Sequence, residues 1–309
     1  MASALSDAGS KISLAASLTP EGLVLPIVEG KVAFDGVDLA LNIQKSIDKN
    51  SRAMIEGRFE LCEMSLATFV KARLEGLPIV ALPAFTGRRF LQPMVVARAG
   101  AGIRTIQDLA GKRVGLPQYW MTSSVWHRGV LEDAYGIAQD KVEWVTTATE
   151  RLDRMRPPPG VTVRNLPEPE GPFALLERGQ VDCVMMPKLT RRAPGWTSPF
   201  SDPVQAQTDY FRASRIFPIM HLVVMSQSVA RRHPELPSRL MAGLVEAKRQ
   251  TEGDPPIAGL PAAEAQAMFG ADPYPYGLEA NRATLETFIG YAHRQGLIAE
   301  PVKIETLFA

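Results

Sequence analysis

The chain has 309 residues, enough for one large or two medium domains with a substantial core. Its 34 Lys and Arg nearly cancel 33 Asp and Glu, leaving +1, and no basic run stands out. A nucleic-acid partner is therefore disfavoured, because phosphate binding needs a clustered positive face. No basic segment leads into an apolar one at the start, and no apolar run approaches the roughly 20 residues of a membrane span, so a soluble cytoplasmic protein is expected.

In chain order, KISLAAS and VDLALNI alternate apolar and polar residues and predict two strands, with a turn at Leu18-Thr19-Pro20-Glu21 after the first. Residues 46–57 read as a helix stopped by glycine. FELCEMS is a strand ending at Glu63-Met64-Ser65, and residues 66–76 are the next helix. PIVALPAF and QPMVVARA are strands separated by the basic turn Thr86-Gly87-Arg88-Arg89. Thr105 and Asp108 mark a short capped helix, TIQDLAG.

The stretch KRVGLPQYWMTSSVWHRGVL (residues 112–131) then holds a short strand, a polar turn and a helix opened by Thr122, Ser123 and Ser124 and running to Gly136. Free backbone N–H groups and the positive dipole end at such a start suit a carboxylate or phosphate. Tyr119, Met121 and Trp126 could offer surfaces to a flat ring, so a small anionic, aromatic ligand is expected there, although the same residues also fit an ordinary capped helix. VEWVTT is a strand, residues 151–171 are proline-rich loop around VTVRNL, PFALLERGQ is a helix and VDCVMMP is a strand. Residues 188–212, rich in Pro, Gly, Arg and Ser, suggest a long loop or mobile flap. IFPIMHLVVMS is an apolar strand, and helical periodicity dominates after it.

Strands alternating with helices predict an α/β protein with largely parallel sheets, and ligands in such sheets lie beyond the carboxyl ends of the strands. Candidate site residues are therefore Thr19, Glu21, Glu63, Ser65, Arg88, residues 119–123, Lys188 and His221. Of four histidines, His233 and His293 read as surface residues, and His127 could face either way. His221 is the one titratable group in its apolar strand, where an imidazole is either a bonded core residue or a tuned acid or base. Glu63 is a carboxylate among apolar neighbours, either paired structurally or poised as a base or hydroxyl acceptor. Arg88 and Arg89 could grip a carboxylate or simply be solvated. Cys62 and Cys183 lie in apolar segments and read as buried hydrophobes. No local metal-binding, Walker A, nucleophile-elbow or Rossmann signature occurs.

The stretches GKRVGLPQYWMTSSVWHRGVL, RIFPIMHLVV and DPYPYGLEANRATLETFIGYAHRQGL, with FELCEMSLATF and the Pro187 turn, resemble the 4,5-dihydroxyphthalate decarboxylase family, and the likeness runs from Lys11 to Leu297. The resemblance implies a two-lobed type 2 periplasmic-binding-protein-like fold with a ligand cleft between the lobes. The first lobe would comprise 1–98 and 215–309 and the second 99–214, with crossings at 95–98 and 217–224. It also implies non-oxidative decarboxylation of a hydroxylated aromatic dicarboxylate with no organic cofactor, leaving divalent metal and oligomeric state open. On residue chemistry His221 would donate the proton and Glu63 would engage a ring hydroxyl. Arg88 and the Thr122/Ser123 helix start would hold carboxylates, Trp126 would pack on the ring, and Thr19, Ser65, Tyr119, Met121 and Lys188 would complete the binding set. Where the family pattern reads RFFRHS, this chain reads RRFLQP from Arg88, so an Arg and a His become Leu91 and Gln92. Non-catalytic solute receptors share the same lobes and are the alternative; the lack of an export signal favours the enzyme.

Overall fold

The structure, a computed structural model, describes the chain except residues 1–10, 151–154, 252–256 and 258. The first lobe opens with β1 (Ile12–Leu18), α1 (Leu25–Val28), β2 (Val37–Ile43), α2 (Ile47–Ile55), β3 (Leu61–Ser65), α3 (Leu66–Leu74), β4 (Ile79–Ala81) and β5 (Gly87–Arg88). The chain then crosses to β6 (Val95–Arg98), β7 (Arg113–Leu116), α4 (Thr122–Tyr135), β8 (Glu143–Thr146), β9 (Thr162–Asn165), α5 (Pro172–Glu177), β10 (Cys183–Met185), β11 (Trp196–Thr197) and α6 (Pro203–Ser214). It returns through β12 (Ile219–Ser226) and finishes with α7 (Gln227–Arg232), α8 (Leu236–Gln250), α9 (Ala262–Phe269) and α10 (Arg282–Arg294).

Among the described residues the strands form two six-stranded sheets, one ordered β2-β1-β3-β12-β4 with β5 paired to β12, the other β11-β6-β10-β7-β8-β9. Pairings inside the βαβ runs are parallel, whereas β12 is antiparallel to β3, β4 and β5, and β6 to β10 and β11. Helix crossovers give parallel neighbours, and the strands that arrive from the other lobe run against them. Val95–Arg98, expected to be a crossing segment, is hydrogen bonded into the second sheet. The loop expected at 188–212 gives way to β11 and to α6, which Asp202 caps by accepting from Val204 N and Gln205 N with Pro203 at the first helical position. The loop-like composition of the segment hid that start signal.

Helix α4 positions the cleft. Residues 122–131 of it are all buried, because its faces meet both lobes. Leu131 joins Trp144 and the second sheet, while Val125, Trp126 and Val130 pack with Phe288 and Tyr291 of α10. A Cβ at Gly129 would lie 2.2 Å from the Tyr291 ring, so only glycine admits this approach. Arg128 is 1% exposed and donates to Tyr119 O (2.7 Å) and to Gln295 Oε1 (2.6 Å), so both terminal nitrogens of an otherwise costly buried cation are engaged. Burial pushes the Cys62 and Cys183 thiols up, in keeping with inert core positions.

Candidate functional site

The carboxyl ends of β1 and β3 lie side by side and bring Thr19 onto Glu63. Glu63 is 2% exposed, and donors meet both its oxygens: Thr19 N (3.1 Å) and Thr19 Oγ1 at Oε2, and Thr86 Oγ1 (2.6 Å) at Oε1. Burial raises its pKa above the ordinary carboxylate range, and the Thr19 and Thr86 bonds oppose that rise. His221 pairs with Ser65 across β3–β12, two residues along from the Val223–Glu63 pair, which puts the imidazole and carboxylate on one sheet face. His221 Nδ1 lies 3.9 Å from Glu63 Oε1, and its side chain is 27% exposed against 3% for that of Glu63. On its other flank is Gly87, where a Cβ would come within 2.8 Å of Nδ1. The glycine lets the ring lie against the β5 backbone.

The second half of the site is a meeting of two helix starts. Ser65, just before α3, and Thr122, the first residue of α4, join by an Oγ–Oγ1 hydrogen bond of 2.7 Å between the lobes. Thr122 Oγ1 also accepts from Ala67 N (2.9 Å), taking up a first-turn amide of α3. Met121, the cap residue of α4, provides no side-chain cap, and Ser123 Oγ, on a residue 2% exposed, has no hydrogen-bond partner among the described residues. Two positive dipole ends with an unspent hydroxyl make an electrostatic setting for an anion.

Several expected ligand residues are used otherwise. Arg88 is buried, with Nη1 donating to Phe217 O (3.1 Å) and Nη2 to Pro275 O (3.2 Å) and Asn281 Oδ1. Its guanidinium braces the first lobe and cannot also clamp a ligand; burial pushes it down to about 10. Arg89 reaches across instead, donating to Pro187 O, with its own pKa lowered by burial. Tyr119 is 1% exposed, bonded through its hydroxyl to Gln139 Oε1 (2.8 Å) and covered by Arg128, 3.5 Å from its ring centroid. Trp126 is fully buried with its indole N–H on Ile219 O (2.9 Å). Neither ring can take a ligand, because Arg128 lies over Tyr119 and Phe288 and Tyr291 pack against Trp126. Met121 lines a narrow interlobe crevice with Thr68 and Lys71, and Lys188 lies exposed on a separate groove. His127 is buried against Met186 O (3.3 Å) and pushed down to about 4 by burial.

Sequence reasoning missed Thr86 and Gly87 as site residues; both lay in the basic turn, but nothing local showed that it folds onto His221. Leu91 and Gln92 are buried, and Gln92 Nε2 donates to Tyr135 Oη (3.4 Å), so the departure from the family pattern falls in packing between the lobes. Among the described residues, no group of three His, Cys, Asp or Glu could hold a metal ion, and no helix is long and apolar enough to cross a membrane.

Comparison with known proteins bears on the family and the fold. The family model described as NMT1/THI5 like matches residues 33–155. A 4,5-dihydroxyphthalate decarboxylase of Comamonas testosteroni is 30% identical over 319 residues, covering 97% of each chain. Another of that description from Pseudomonas putida is 32% identical over 214 residues, covering 66% of this chain and 83% of the relative. Among solved structures, the periplasmic aliphatic sulphonate binding protein SsuA from Escherichia coli is similar at a TM-score of 0.57 and 16% identity, covering 97% of this chain and 98% of that one. The alkanesulfonate-binding protein SsuA from Xanthomonas axonopodis pv. citri gives 0.54 at 15% identity, covering 98% and 99%. The two-lobed type 2 periplasmic-binding-protein-like fold is therefore the fold of this chain.

Proposed function

Because the chain belongs to the 4,5-dihydroxyphthalate decarboxylase family, we propose that it removes CO2, without an oxidant, from a hydroxylated aromatic dicarboxylate such as 4,5-dihydroxyphthalate. The observation that carries this reading is the Glu63–His221 pair beside the facing starts of α3 and α4. A proton donor thus stands next to a setting for carboxylates.

In the proposed reaction the dicarboxylate lies with one carboxylate at the α4 start, held by Ser123 and first-turn N–H groups and balanced by the Arg89 cation. The ring hydroxyl para to the second carboxylate pushes electron density onto the carbon that bears it. His221 donates a proton to that carbon, the bond to the carboxylate breaks, and its electron pair restores the aromatic ring as CO2 leaves. Water then returns the proton to the imidazole. From 4,5-dihydroxyphthalate the product is 3,4-dihydroxybenzoate. Glu63, with both oxygens engaged by Thr19 and Thr86, serves as a positioning residue whose Oε1 faces Nδ1 of the imidazole. No organic cofactor enters this route.

The burial of α4 between the lobes supports a catalyst with a preformed cleft over a receptor that swings open. Opening would have to part Gly129 from Tyr291, Arg128 from Gln295 and Ser65 from Thr122. The test is CO2 release from purified protein offered hydroxylated benzoates and phthalates, with and without divalent metal. Stoichiometric CO2 and monocarboxylate from one of them is the expected result; saturable binding with no CO2 from any would point to a receptor.

A further inference from the structure

A groove of about 670 Å3 runs beside β6, and neither Glu63 nor His221 lines it. That size lies within the range of ordinary small-molecule sites. Its floor is the start of β6, one wall is the segment leading into β11, and the other is the start of α6.

The electrostatics of the groove are one-sided. Lys188 and Arg192 line it, and neither has an acidic partner among the described residues, none of which brings a carboxylate to the lining. The neighbouring Arg191 differs, being paired to Glu177 at 2.6 Å. Asp202, close in the chain, is turned onto Val204 N (2.9 Å) and Gln205 N (3.0 Å) as the cap of α6. Such unpaired cations at a concave surface attract an anion, and arginine adds a planar fork suited to carboxylate or phosphate.

The same groove offers aromatic surface. Trp196 lines it, its indole fixed by stacking on Phe173 (5.1 Å between centroids, 13° between planes) and by the Arg191 guanidinium 6.0 Å from the ring centroid, and Phe200 adds a second ring. The indole N–H groups of Trp120, Trp126 and Trp144 all donate to backbone carbonyls, whereas that of Trp196 has no acceptor among the described residues. A held aromatic side chain with a spare donor, next to two unpaired cations, matches a ligand that is flat at one end and negative at the other. We propose that this groove is a second binding site, for a planar aromatic anion. An aromatic carboxylate and a nucleoside monophosphate share that chemistry.

Isothermal titration of the full-length protein with 4-hydroxybenzoate and, separately, with adenosine monophosphate tests it. At least one probe should bind saturably and lose tenfold or more in affinity in the K188A/R192A double variant and in W196L, with melting temperature unchanged in the exposed-cation variant. His221→Gln should leave this binding intact, which separates the groove from the proposed reaction. The nucleotide alone would identify a nucleotide site, and the carboxylate alone a second acid site. Absence of saturable binding by both probes, or affinities untouched by K188A/R192A, would overturn the proposal.

Discussion

Glu63 and His221 face each other diagonally across the β3–β12 pairing, 3.9 Å from Oε1 to Nδ1, and of the two the histidine is the more exposed. The geometry assigns them unequal roles. General acid–base groups contribute roughly 10²- to 10⁴-fold, so His221→Gln should lower kcat by that order. Glu63→Gln keeps the shape and should cost less, about 10- to 100-fold, in kcat with KM little changed. Steady-state kinetics on the two variants checks the order.

Gly87 extends the same argument. A methyl group there would meet Nδ1 at 2.8 Å and displace the ring. Gly87→Ala should therefore lower kcat at least tenfold while urea unfolding shows a loss of less than about 1.5 kcal/mol, since a partly exposed imidazole can move aside.

The neighbours Thr122 and Ser123 should separate stability from binding. Thr122→Ala strands Ala67 N and removes the link to Ser65, costing roughly 1–3 kcal/mol in denaturant unfolding. Ser123→Ala deletes a buried hydroxyl that has no partner among the described residues and should leave stability unchanged or slightly raised. Its effect should appear as a raised KM for a dicarboxylate.

The two adjacent arginines predict the opposite pairing. Arg88→Met removes three anchoring bonds from a buried site and should destabilise by about 3 kcal/mol or more, with loss of folded protein. Arg89→Met should fold and lose affinity for the acid about tenfold, read as KM.

Acid sensitivity has a named source in His127, held near 4 in the fold against 6.5 for a free histidine. Between those values the unfolded chain binds the extra proton and the folded one does not, so stability falls as pH drops from about 6.5 to about 4. The contribution is on the order of 3 kcal/mol at most. Glu63 acts with the other sign: its raised pKa adds stability at low pH that is lost as pH climbs from about 4.5 through the folded value. Unfolding of His127→Asn across this range should show a flatter acid limb than the parent.

What was legible in the sequence was mostly what depends on period. The alternation of ISLAASL and VDLALNI and the glycine stop after residue 56 placed β1, β2 and α2 to within about two residues, whereas α1 and β5 carried no such period. Glu63 and His221 were visible because each is a titratable group set in apolar strand sequence. Tertiary contact decided the rest. Which of Arg88 and Arg89 faces inward depends on the pairing of Ile219 with Arg88 in a two-residue strand, which has no sequence signature. Tyr119 and Trp126 looked like ligand platforms because the covering of α4 by α10 and the second sheet is made by residues far along the chain. The Asp202-Pro203 start of α6 was readable in principle, but the Pro, Gly and Ser around it spoke for loop.

The central claim is tested most directly by measuring CO2 released per molecule of 4,5-dihydroxyphthalate consumed, for the parent protein and His221→Gln side by side. One CO2 and one 3,4-dihydroxybenzoate per substrate from the parent, reduced at least 100-fold in the variant that still folds, is the predicted result. Equal CO2 release from both proteins would remove His221 from the mechanism, and none from either would contradict decarboxylation of this acid.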